Sequence, residues 1–98
     1  MEQLPFSISV QRRDDQIVAN IAGELDMATA PIVQDRLRPY AGRGNRLMYD
    51  LENVSFMDSS ALSILMSTEL GEQVSIRNPS SAARRLLRLL EMESIVQD

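Results

Sequence analysis

The sequence predicts an α/β fold, with helices packed on a mixed β-sheet of four to five strands in one domain spanning residues 1–98. Alternating polar and apolar residues at 6–10 and 17–22, around a polar turn at 11–16, predict a β-hairpin. A nearly continuous apolar run within residues 46–51 is typical of a central strand covered on both faces. A helical pattern between that run and the hairpin indicates a crossover to a parallel neighbour.

The first helix follows the hairpin. Thr29 can cap its start, and Pro31 is tolerated in the first turn because its missing N–H has no helical partner there. Pro39 ends the helix at about Arg38. The predicted apolar stripe consists of Ile32, Val33, Leu37 and Tyr40.

Two more helices and a short strand complete the pattern. The second helix runs from residue 59 to about 70 and ends at Gly71. A strand at 74–77 and a turn at 78–81 lead into the third helix. Residues 95–96 either add a last edge strand or pack as a tail. The buried stripe of the third helix is predicted to be Ala83, Leu86, Leu87 and Leu90.

Composition excludes several functional classes. The chain has no cysteine and no histidine, which removes a disulfide framework, a Ser-His-Asp triad and the usual zinc sites. A net charge of −4 argues against nucleic acid as a direct partner. The N-terminus lacks a signal-peptide pattern, and the apolar stretches fall short of the ~20 residues that span a bilayer. We therefore expect a cytoplasmic, non-enzymatic binding domain with no metal, no cofactor and no membrane insertion.

The strongest candidate site is Asp58-Ser59-Ser60, directly before the second helix. Aspartate and serine favour helix starts because their side-chain oxygens accept hydrogen bonds from the N–H groups of the first turn. A helix start also carries partial positive charge and tolerates an anion such as a phosphate. The spacing alone favours a helix cap formed by Asp58, Ser59 and Ser60, with an anion site or a phosphorylation site at the serine as the alternatives. The cap and phosphorylation of Ser59 are compatible.

Two segments carry a family resemblance. The first is Gly23-Glu24-Leu25-Asp26, ahead of the helix that begins near Thr29. The second and more specific one is Asp50-Leu-Glu-Asn-Val-Ser-Phe-Met-Asp58-Ser59-Ser60. Together they resemble the anti-sigma factor antagonist family, whose fold is the STAS domain. The resemblance covers about residues 6–96.

This resemblance implies a partner-switching regulator of transcription. In that family the antagonist binds an anti-sigma factor that is also an ATP-dependent serine kinase, and binding frees the sigma factor. The kinase phosphorylates the serine that follows the aspartate at the start of the second helix, here Ser59, and a serine phosphatase reverses this. ATP and magnesium belong to the kinase. By resemblance, Asp26, Asp58, Ser59 and Ser60 contact the partner, and the free antagonist is a monomer.

The chain departs from the family pattern in two ways. Ala61 and Ser63 stand where the family motif has glycines, and alanine could alter how a kinase reaches the site. The second helix is also several residues shorter than is usual in the family. These departures leave room for an alternative, a non-phosphorylated STAS docking subunit of a membrane transport complex of the ABC type.

Several side chains have a second interpretation. Asp26 could be an ordinary turn or cap residue. Ile64 and Met66 are expected in the core, with partner contact as the alternative. Three arginines of the third helix are expected to form a solvated face, with anion or lipid contact as the alternative. They are Arg84, Arg85 and Arg88.

Overall fold

Four strands form one mixed sheet in the order in which they occur in the chain. The computed structural model describes residues 6–40, 44–67 and 73–97. The strands are β1 (Ser7–Arg13), β2 (Gln16–Leu25), β3 (Arg46–Met57) and β4 (Gln73–Arg77). The helices are α1 (Ala30–Leu37), α2 (Ser59–Leu65) and α3 (Ser81–Leu89), with 3₁₀ turns at Arg38–Tyr40 and Glu93–Ile95. The predicted fold class is confirmed.

The β1–β2 hairpin is longer than its alternating pattern predicted. The strands pair antiparallel from Ser7 with Ala22 to Arg13 with Gln16, so the turn contains only Asp14 and Asp15. Asp14 adopts a φ of 58°, a left-handed conformation that aspartate tolerates in tight turns. The predicted turn at residues 11–16 was too long because polar residues on an exposed edge strand resemble a loop in sequence.

Strand β3 lies between β2 and β4 and is parallel to both. The parallel pairing with β2 confirms the crossover that the helix between them predicted. Strand β3 extends six residues beyond the predicted end at Leu51. The added segment contains exposed polar residues, yet Val54 and Met57 on it are buried and the strand stays paired with β2. This extension carries the chain directly to Asp58.

One hydrophobic core fills the space between the sheet and the helices. Buried residues of all three helices belong to the same cluster as alternate residues of β2 and β3. The helix residues in it are Ala30, Val33, Leu37, Ala61, Leu62, Leu65, Ala83 and Leu87, and the strand residues include Ile17, Ala19, Ile21, Leu47, Tyr49 and Leu51. The predicted stripes were partly wrong, because Ile32 and Leu90 are exposed.

Helix α2 ends at Leu65, before the predicted end near residue 70. The Tyr49 hydroxyl of β3 donates a 2.9 Å hydrogen bond to the Leu65 carbonyl, which has no intrahelical partner at a helix end. Burial raises the pKa of the Tyr49 hydroxyl, so it stays protonated and keeps donating. The predicted stop at Gly71 lies outside the described residues. The last predicted strand is reduced to a bridge between Ile76 and Val96.

The sheet face opposite this core carries a partly buried ion pair. The Asp50 carboxylate accepts hydrogen bonds from Arg77 Nε at 2.8 Å, from Asn78 Nδ2 at 3.1 Å and from the Glu52 backbone N–H at 3.1 Å. Burial by itself would raise the pKa of Asp50, but the bonds from Arg77, Glu52 and Asn78 hold it below its usual value. Asp50 thus joins β3 to the corner that follows β4.

We expect Asp50→Asn to lower the free energy of unfolding by about 1–3 kcal/mol at pH 7, the usual cost of disturbing a buried charge-assisted hydrogen bond. Because the folded-state pKa of Asp50 is depressed, its contribution is fully present above the unfolded pKa of about 3.9 and disappears as the pH falls through the folded pKa. Urea unfolding at pH 7 and pH 3 should therefore show a smaller difference between wild type and variant at pH 3. A difference that does not change with pH would contradict this role of the charge.

Candidate functional site

The candidate site lies where β2 and β3 end side by side. Leu25 and Met57 are paired at the ends of these parallel strands, so the residues that follow them, Asp26 and Asp58, emerge at one edge of the sheet. The Asp58 backbone N–H donates a 3.3 Å hydrogen bond to the Leu25 carbonyl. The structure therefore brings together the two segments on which the family resemblance rests.

Asp58 caps helix α2, as the sequence predicted. Its backbone is extended, and its Oδ1 accepts a 2.8 Å hydrogen bond from the Ala61 backbone N–H. Ser59 and Ser60 are the first two residues of the helix, and both are exposed. The cap is thus Asp58, and the hydroxyl of Ser59 lies on a solvent-accessible surface.

Asp26 organises the turn before α1. Its Oδ1 accepts hydrogen bonds from the backbone N–H groups of Ala28 at 2.9 Å and Thr29 at 3.1 Å. These bonds, with that from Ala28 the strongest, lower the pKa of Asp26, so its carboxylate is ionised at neutral pH. The contacts of Asp26 are therefore those of a turn residue, which was one of the two interpretations of Asp26 from the sequence.

Thr29 does not cap α1 through its side chain, contrary to the sequence prediction. Its hydroxyl donates a 2.8 Å hydrogen bond to the Glu24 carbonyl and accepts one of 3.0 Å from the Asp26 backbone N–H. The hydroxyl is therefore turned back toward the end of β2. Asp26 and Thr29 together fix the loop that faces Asp58.

A shallow concavity of about 750 Å³ adjoins the two serines. Among the described residues that line it, none is charged. Its polar part consists of Ser59, Ser60 and Ser63, and its apolar part of Met27, Leu62, Ile64, Met66, Leu90 and Met92. Ile64 and Met66 are half-buried, so each packs on the core and also contributes to this surface.

The two positions that differ from the family motif have different environments. Ala61 is completely buried in the core, so its methyl group faces inward and not toward the approach to Ser59. Ser63 is exposed and lines the concavity. Of these two positions, only Ser63 changes the surface beside the candidate site.

Sequence reasoning missed the other contributors to this surface. Met27 lies in the Asp26 turn and is 69% exposed, while Leu90 and Met92 follow the last turn of α3. Apolar periodicity placed Leu90 in the core. That prediction failed because periodicity identifies an apolar stripe but does not show where neighbouring elements cease to cover it. The one sequence signal that could have identified Met27 as part of this surface is the presence of a single methionine in a polar turn.

The arginines of α3 lie on its exposed side. Arg84, Arg85 and Arg88 are all exposed, and Arg88 Nε lies 3.6 Å from Glu93 Oε2. An exposed pair of this kind contributes little to stability. The solvated-face interpretation agrees with this exposure.

Within the described ranges, no group of three or more acidic, histidine or cysteine side chains is arranged to hold a metal ion. Among the same residues, no helix has the length and apolar character needed to cross a membrane.

The mixed four-stranded sheet, the three helices and the Asp-Ser-Ser start of α2 define a STAS domain. The family model described as "Mlab, STAS domain" matches residues 8–97, nearly the whole chain. The chain therefore belongs to the STAS-domain family.

Comparison with individual proteins leads to one subgroup. The chain is 30% identical over 96 residues to the anti-sigma-B factor antagonist of Bacillus subtilis (strain 168), covering 93% of this chain and 88% of the relative. It is 36% identical over 98 residues to the anti-sigma-B factor antagonist of Listeria monocytogenes, covering 92% and 82% of the two chains. The solved structure of the anti-sigma factor antagonist SpoIIAA in its unphosphorylated form has the same fold, with a TM-score of 0.77, 20% identity and coverage of 94% and 87%.

Proposed function

We propose that this protein is an anti-sigma factor antagonist that binds an anti-sigma factor and is switched off by phosphorylation of Ser59. The observation that carries the proposal is the position of Ser59. It is exposed at the first residue of α2, directly after the capping Asp58, at the edge where Asp26 also emerges. The relatives named above are anti-sigma-B factor antagonists that align with nearly the full chain, which supports the same assignment.

In this proposal the chain is a binding protein and a kinase substrate, with no catalytic residues. The anti-sigma factor acts as the serine kinase and supplies ATP and magnesium, and a separate serine phosphatase restores the free hydroxyl. Asp26, Asp58, Ser59 and Ser60 form the contact surface. The protein is a cytoplasmic monomer when free, and it contacts neither nucleic acid nor membrane.

The proposed switch is electrostatic. A phosphate on Ser59 adds about −1.5 to −2 charges at neutral pH. It would be introduced beside Asp58, on a surface where Asp26 is also ionised. Because Ser59 is exposed and outside the core, the added charge can repel acidic groups of the partner without unfolding the antagonist.

The test is phosphotransfer from the candidate anti-sigma factor kinase of the same genome, followed by intact and peptide mass spectrometry. We expect one phosphate on Ser59, none in Ser59→Ala, and wild-type transfer in the matched control Ser60→Ala. A kinase that modifies another antagonist but leaves this chain unmodified would contradict the proposal. So would transfer to Ser60 with Ser59 unmodified.

The second candidate function is a docking subunit of a membrane transport complex that needs no phosphorylation. The concavity favours it, since its described lining residues carry no charge and could seat an apolar partner surface while Ser59 stays unmodified. A pulldown with the unphosphorylated chain separates the two functions. Recovery of a transporter ATPase, without a kinase-type anti-sigma factor, would favour the second.

A further inference from the structure

The five methionines that the structure describes fall into two groups by exposure. Met48 and Met57 are buried, with 7% and 6% of their surface exposed. Met27 is 69% exposed, and Met66 and Met92 are half-buried. All three members of the second group line the same concavity, although they come from three separate segments of the chain. Among the described residues, the accessible methionines thus lie at one place on the surface.

That place is the neighbourhood of Ser59, which itself lines the concavity. A kinase that phosphorylates Ser59 must bring its phosphate donor to the hydroxyl, so its surface must cover the adjoining residues. Six of the nine described residues that line the concavity are apolar, so burying them against apolar side chains of the partner is favourable. Methionine suits such a contact because its unbranched side chain adapts to the shape of a partner.

We infer that Met27, Met66 and Met92 form an oxidation-sensitive site through which a peroxide controls binding of the anti-sigma factor. This inference rests on the proposed function and identifies a second control acting on the same surface. The chain contains no cysteine, so thiol chemistry is absent and the thioethers are its sulfur groups. Oxidation would leave the sigma factor sequestered, in the same direction as phosphorylation.

The chemistry is a two-electron oxygen transfer. The lone pair of a methionine Sδ attacks one oxygen of hydrogen peroxide, an S–O bond forms, the O–O bond breaks and the second oxygen leaves as water after proton transfer. The sulfur is oxidised and the peroxide is reduced. The sulfoxide is polar, so burying it under an apolar partner without a hydrogen-bond donor is unfavourable. Methionine sulfoxide reductases, with a thiol reductant, reverse the change.

The experiment oxidises the antagonist alone with hydrogen peroxide, removes the peroxide and then adds the unoxidised candidate anti-sigma factor kinase. Peptide mass spectrometry should find sulfoxide first at Met27, then at Met66 and Met92, and last at Met48 and Met57. We expect binding to weaken by about tenfold or more, a change of one decade per 1.4 kcal/mol. Treatment with methionine sulfoxide reductases should restore it.

Leucine substitutions provide the controls because leucine is apolar, similar in volume and not oxidised by peroxide. The triple variant Met27→Leu/Met66→Leu/Met92→Leu should show the same affinity before and after peroxide, whereas Met57→Leu should lose affinity on oxidation as the wild type does. Unchanged binding after oxidation would overturn the inference and leave the proposed function intact. A loss of binding that accompanies unfolding, measured by circular dichroism, would also overturn the inference and leave the proposed function intact. Failure of the reduced protein to bind the kinase would overturn the proposed function and the inference with it.

Discussion

Ser59→Asp is expected to weaken binding to the anti-sigma factor by about 100- to 1,000-fold, the largest effect we predict for an exposed residue. A like charge at ~4 Å costs about 4 kcal/mol at an effective dielectric constant of 20, and every 1.4 kcal/mol changes affinity tenfold. Titration calorimetry or biolayer interferometry with the unphosphorylated partner measures this directly. Because Ser59 is exposed, the free energy of unfolding should stay within about 0.5 kcal/mol of wild type.

Two matched variants separate charge from shape at this position. Ser59→Asn has nearly the size of aspartate but no charge, and it should bind far better than Ser59→Asp. Raising the salt concentration should recover part of the affinity of Ser59→Asp, because the Debye length shrinks from about 8 Å at 0.15 M to about 3 Å at 1 M. Equal affinities of Ser59→Asp and wild type would refute the electrostatic account of the switch.

Leu65→Ala should produce the largest loss of stability, about 2–5 kcal/mol, as expected for removing a buried leucine side chain. Leu65 is completely buried and is the last residue of the seven-residue helix α2. A helix this short depends on its tertiary contacts, since isolated helices below about 12 residues are marginal in water. Chemical unfolding followed by circular dichroism gives the difference.

The matched control on the same helix is Ser63→Ala, which removes an exposed hydroxyl and should change stability by less than about 0.5 kcal/mol. If α2 is the element that presents Ser59, Leu65→Ala should also slow phosphotransfer at temperatures where most of the protein is still folded. A loss at Leu65 no larger than that at Ser63 would mean that α2 is not anchored through its C-terminal end.

The element order and the parallel crossover could be predicted because they depend on patterns that the chain itself displays. The exact ends of the strands and helices could not be predicted in this way. Residues 52–57 mix polar and apolar side chains without a regular pattern, yet they form the end of a central strand because β2 supplies hydrogen-bond partners from another part of the chain. In the same way, α2 ends early at a carbonyl held by Tyr49, sixteen residues away in sequence.

The candidate site was predictable to the extent that it is local. A cap at Asp58 follows from residue type and position, and the structure has it. The opposite case is Thr29, where residue type favoured a cap but the hydroxyl donates to the Glu24 carbonyl and accepts from the Asp26 backbone N–H. The concavity is lined by residues from three separate segments of the chain, and no short sequence pattern records that they meet. Met27, Leu90 and Met92 therefore emerged only from the packing.

The hydrogen bond from the Asp58 backbone N–H to the Leu25 carbonyl has a consequence for redesigning this surface. It holds the two loops together through main-chain atoms alone, so the exposed side chains around it can be exchanged while their relative positions are kept. Met27, Ser60 and Ser63 are exposed positions of this kind. A library randomised at these three sites would sample new partner preferences on a fixed frame, and orthogonal pairs of antagonist and anti-sigma factor could be selected from it without rebuilding the domain.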